Sequence, residues 1–79
     1  MKKSEIVVGK TYSNDKGTSK YVVAEGPQYT LLRNQGDLDC IRYYFRHKNG
    51  KVTPQCGEKF QFNTTRESFA KWAKAELGK

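Results

Sequence analysis

Residues 40 to 54, CIRYYFRHKNGKVTP, alternate so regularly that they leave little choice of local structure. One series is Ile41, Tyr43 and Phe45; the other is Arg42, Tyr44, Arg46 and Lys48. Alternation with period two marks a β-strand with one buried and one exposed face. Asn49-Gly50 follows, and because both residues tolerate positive φ this dipeptide is a strong hairpin signal. A two-residue turn there pairs Lys48 with Lys51, Arg46 with Thr53 and Phe45 with Pro54. If Ile41, Tyr43 and Phe45 face a core, then Arg42, Tyr44, Arg46 and Lys48 face outward at intervals of about 6–7 Å, and Lys51 joins them across the turn.

The remainder of the chain supplies partners for that strand. Ile6 to Val8 is a short apolar run, SNDKGTS is turn-rich, and Tyr21 to Val23 is a second run that Gly26-Pro27 ends. QYTLLR reads as a further strand closed by NQGD. EKFQFN alternates again, placing Phe60 and Phe62 on one face and Gln61 on the other. From Thr64 the period changes. Thr64 with Glu67 forms a capping-box pattern, Phe69, Trp72, Ala73 and Leu77 recur at helical spacing, and Gly78 stands where a helix would stop. The expected helix covers about residues 65–77, with Trp72 as a core anchor. No repeat, low-complexity tract or linker interrupts this plan, so residues 1–79 read as a single α+β domain: a small curved antiparallel sheet or barrel of about five strands over residues 6–63, closed by one C-terminal amphipathic helix.

A chain of 79 residues exposes much of its surface and needs a core dense in large side chains. Four Phe, five Tyr and one Trp meet that need. Fifteen Lys and Arg against eight acids leave a net charge of +7, which favours polyanionic partners, nucleic acid or an acidic protein surface. The competing reading of those cations is a solvated surface. No apolar run approaches the ~18 residues of a membrane span, and MKKSEIVVGK holds only three consecutive apolar residues. The expectation is a cytoplasmic protein without membrane contact, with Cys40 and Cys56 as reduced thiols; one bridge would suit an exported chain.

Three chemistries are weak in these residues. VGKT at Val8 to Thr11 resembles the end of a phosphate loop, yet Ser4 stands where the pattern needs glycine and TYSNDKG follows where it needs a helix. Cys40, His47 and Cys56 are spread singly, without the close cysteine pair of a structural zinc site. The lone His47 lacks an orienting serine or carboxylate nearby in sequence, and Asp37 and Asp39 lie in a turn. The chain is therefore expected to be no enzyme and to need no metal or cofactor.

VGKTYSNDKGTSKYVV resembles the opening of small SH3-like barrels, in which a Gly-x-x-Tyr strand passes through an irregular Lys-Gly loop into a β-branched strand. With the closing SFAKWAK, the chain resembles short proteins encoded in phages and prophages. The likeness covers the first and last fifths of the chain, and the middle departs from it. It implies an SH3-like fold and a non-enzymatic binding module acting on a host macromolecule. Residue pattern and resemblance together predict a small basic module that contacts DNA or RNA through Arg42, Tyr44, Arg46, Lys48 and Lys51. The alternative is a phage inhibitor or adaptor docking on a host protein or nucleoprotein complex, such as a defence-system component. An exposed strand edge permits either monomer or homodimer.

Overall fold

A computed structural model of the chain describes residues 1–26 and 39–78. Five strands form one antiparallel sheet: β1 at Thr11–Ser13, β2 at Ser19–Glu25, β3 at Cys40–His47, β4 at Gln61–Thr65 and β5 at Ala75–Gly78. Their order across the sheet is β4-β3-β2-β1-β5. One α-helix among the described residues, α1 at Arg66–Trp72, links β4 to β5. The α+β class, a five-stranded antiparallel sheet and a helix near the C-terminus agree with the sequence, whereas β1 and β5 stand where its residue pattern predicts no strand. Among the described residues the sheet stays open, with β4 and β5 at its two edges. The expected strand QYTLLR and its closing NQGD fall outside the described residues.

β3 is the central ladder that its alternation predicts, pairing with β2 on one side and β4 on the other. The turn after it also forms as expected. Asn49 and Gly50 take φ of 55° and 78°, and Lys48 and Lys51 exchange backbone hydrogen bonds of 2.8 and 3.1 Å. The pairing then stops: Arg46 with Thr53 and Phe45 with Pro54 are not made. Pro54 has no N–H to offer a ladder. The chain turns instead through Thr53 to Cys56, and the Phe45 carbonyl accepts the Gly57 N–H at 2.7 Å. The true return strand is β4, aligned Tyr44 to Gln61 and Cys40 to Thr65.

The ends of the chain also differ from expectation. Ile6 is 1% exposed, but Val7 and Val8 are exposed and form no strand. The Tyr12 hydroxyl explains this: it donates to the Glu5 carbonyl at 2.6 Å and accepts the Val7 N–H at 2.8 Å, so a phenol satisfies backbone groups that a ladder would otherwise take. The helix begins one residue later and ends five residues earlier than periodicity suggests. Thr65, not Thr64, is the N-cap, accepting the Ser68 N–H at 3.1 Å. After Trp72, Ala73 turns extended and the Lys74 N–H reaches the Ser13 carbonyl at 2.7 Å, starting β5 along the open edge of β1.

The core lies between the sheet and α1. Ile6, Tyr12, Val22, Ile41, Phe69, Ala70 and Ala73 are buried together, with Met1, Tyr43 and Trp72 against them. Tyr12 and Phe69 meet edge to face at 5.6 Å between ring centres. Arg66 ties four segments at the rim of this core. Its guanidinium donates to both Asp39 carboxylate oxygens at 3.0 and 2.8 Å, to Glu25 Oε2 at 2.6 Å, and to the Ile6 carbonyl. Burial works against its charge, but the bonds to Asp39 and Glu25 outweigh that and push its pKa up.

Candidate functional site

β3 has two different faces. Ile41, Tyr43 and Phe45 turn inward with Val22 and Lys20 of β2 and Phe62 of β4. Arg42, Tyr44 and Tyr21 share the outer face with Gln61 and Asn63. Three of the five predicted site residues are thereby together on one surface: Arg42, Tyr44 and Arg46, each partly exposed.

Their geometry is a ladder of rings and cations. The Tyr21 and Tyr44 rings pack at 5.1 Å across the β2–β3 pair, and the Arg46 guanidinium carbon lies 4.4 Å from the Tyr21 ring centre. Arg42 donates from Nε to Gln61 Oε1 at 2.5 Å and from Nη1 to Asn63 Oδ1 at 2.9 Å. Those two partners are neutral amides, which orient the guanidinium. Tyr21 is a site residue that sequence reading missed. Its signal was present: cross-strand neighbours at a ladder position are what stack an aromatic pair.

The turn lysines part company with this face. Lys20 pairs with Phe45 and Ser19 with His47, which leaves Arg46 as the extra residue of a β-bulge. One extra residue reverses the faces of all that follow. His47 accordingly sits opposite Ser19, with Ser19 Oγ 3.3 Å from His47 Nδ1, rather than on the Phe45 side. Lys48 turns inward, its ammonium 5.5 Å from the Phe45 ring centre. Lys51 pairs with Lys48 across the turn through the backbone.

Two lysines near the first loop also stand away from this face. Lys10 is committed to Glu76 at 3.2 Å on the β1–β5 side. Lys20 belongs to the inner face, where its ammonium stands 4.1 Å from the Trp72 ring centre, 4.7 Å from Tyr43, 5.3 Å from Phe45 and 5.7 Å from Phe69. Burial pushes its pKa down from 10.5 to about 8 and pushes the neighbouring Tyr43 phenol up. The facing rings act oppositely, favouring the charged ammonium.

Cys40 is buried and Cys56 lies in the loop after the turn; both are free thiols. A hydrogen bond from the Thr53 side chain lowers the Cys56 pKa. Among the described residues no group of three His, Cys, Asp or Glu converges as a metal site would require. No helix among them is long and apolar enough to cross a membrane. No family model, curated protein or solved structure matches the chain.

Proposed function

We propose that the chain is a small basic, non-enzymatic binding module that contacts nucleic acid through the outer face of β2 and β3, and that its fold is an open variant of an SH3-like barrel. The fold reading rests on the Gly9-x-x-Tyr12 opening, the Lys16-Gly17 loop and a last strand that returns to pair with the first. The function rests chiefly on one observation: Arg42 and Arg46 flank the packed Tyr21–Tyr44 pair on one face of the sheet in a chain with net charge +7. In this reading the guanidiniums contact phosphates and the tyrosines offer a stacking surface, while Lys48, turned inward, lies outside the site. Phosphate contacts dominate, so sequence specificity is weak.

Replacing Arg42 and Arg46 together by Ala tests the reading. Affinity for DNA and RNA oligomers is expected to drop by a similar factor for every sequence, with the unfolding midpoint in urea retained in the same preparation. Unchanged affinity in a folded double variant refutes this site. Capture of one host protein that survives nuclease treatment, with no affinity for oligomers, points instead to the inhibitor or adaptor.

A further inference from the structure

The inner face of the sheet extends past its cover. Helix α1 has seven residues and closes over Ile6, Tyr12, Val22 and Ile41, while Phe62, further along the same face, remains 44% exposed. Phe62 is nevertheless held firmly. Its ring packs 5.9 Å from Tyr43 and 5.6 Å from Phe45, and Tyr43 packs 5.7 Å from the buried Phe69. A ring braced in this way presents its face without losing side-chain entropy on contact.

Two ammonium groups border the Phe45 ring, against which Phe62 packs. Lys20 and Lys48 lie 5.3 and 5.5 Å from the centre of Phe45, the neighbour of Phe62. Neither has a carboxylate partner among the described residues. Two like charges converging on one apolar ring repel each other, and an anion placed between them relieves that repulsion. The surface thus asks for a ligand that is both flat and anionic. A nucleotide with an unstacked base has both properties, whereas the bases of a duplex are already stacked.

We infer that the open end of the inner face is a second binding site, taking a nucleotide unit of single-stranded nucleic acid with its base on Phe62 and its phosphate between Lys20 and Lys48. It lies on the opposite face of the sheet from Arg42, Tyr44 and Arg46, so the two sites stand or fall separately. Lys20 also gives it a pH signature. With its pKa near 8 it loses its charge as pH rises through that value, while Tyr43 beside it, pushed upward by burial, stays neutral. Lys48 is the other charged group against Phe45, and the Cys56 thiol, its pKa lowered mainly by Thr53 and in part by the Lys48 charge, titrates beside it.

Trp72 is the sole tryptophan and lies 4.1 Å from the Lys20 ammonium, so its emission reports on the site. The experiment titrates the full chain with a short oligothymidylate, a duplex of matched length and polyglutamate, at pH of about 7 and about 9. The expected result is a Trp72 response that is strongest for the single strand, weaker at the higher pH, and reduced about tenfold by Phe62→Ala. Lys20→Gln should lower affinity and weaken the pH dependence, while the Arg42→Ala/Arg46→Ala variant keeps the Trp72 response. Equal responses to duplex or polyglutamate, no pH dependence in the unmodified chain, or no response to the oligomer overturn the site. The comparison of single strand with duplex and polyglutamate needs no variant and decides the matter even if Phe62→Ala does not fold.

Discussion

Lys20 shows how one position can carry opposing effects. Burial among rings strips its ammonium of water, while the ring faces attract the charge that remains. Because its pKa falls to about 8 from an ordinary 10.5, the unfolded chain binds more protons between those values. Stability therefore rises with pH across that window, and below it the cost of the buried charge is fully present. Tyr43 acts in the reverse sense above 10.0, since a raised phenol pKa makes ionisation favour the unfolded chain. The urea midpoint is expected to climb from pH about 8 to about 10 and then fall, and Lys20→Met should reduce the climb to the part left by the lowered Cys56 thiol. A flat profile over that range, or a climb unchanged in Lys20→Met, contradicts this account. The placement was legible in principle: Lys20 stands two residues before Val22, and strand parity puts both on one face. Reading Tyr21 to Val23 only as a β-branched run passed over it.

At the level of elements, local signals held where they were strong and failed where tertiary pairing had more to offer. Asn49-Gly50 fixed its turn because only a few residues accept positive φ at both positions. The turn is further locked by Gly17, where an added Cβ would come within 2.7 Å of the Gly50 nitrogen. The last segment, Ala73 to Gly78, has good helix formers, yet β1 presents an unpaired edge and β5 covers it. Leu77, placed on the apolar helix stripe by periodicity, ends 58% exposed on that strand. The bulge at Arg46 was invisible to alternation, and it is what sends Lys48 away from the arginine face. Helix capping offers a direct comparison of the two threonines. Thr65→Ala should cost about 1 kcal/mol through loss of the Ser68 N–H bond, and Thr64→Ala distinctly less, measured by urea unfolding. The reverse order would restore the cap to Thr64.

For the whole molecule, a small sheet with one short helix leaves both of its faces partly available, and the two faces divide the cations by chemistry. The outer one gathers guanidiniums with a tyrosine pair; the inner one surrounds a lysine with rings. Length, charge and alternation announced the class of fold and the outer triad of Arg42, Tyr44 and Arg46. Which strands were neighbours, and therefore that Tyr21 completes that surface, depended on pairing across distant segments that no local pattern encodes. The central claim is that the outer face binds nucleic acid through phosphates. It is tested most directly by the affinity for short single- and double-stranded DNA and RNA over a salt series from about 50 to about 200 mM. Contact with three to five phosphates predicts a log–log slope of roughly −2 to −5, made shallower by Arg42→Ala/Arg46→Ala. A slope near zero, or no binding at the lowest salt, contradicts the claim.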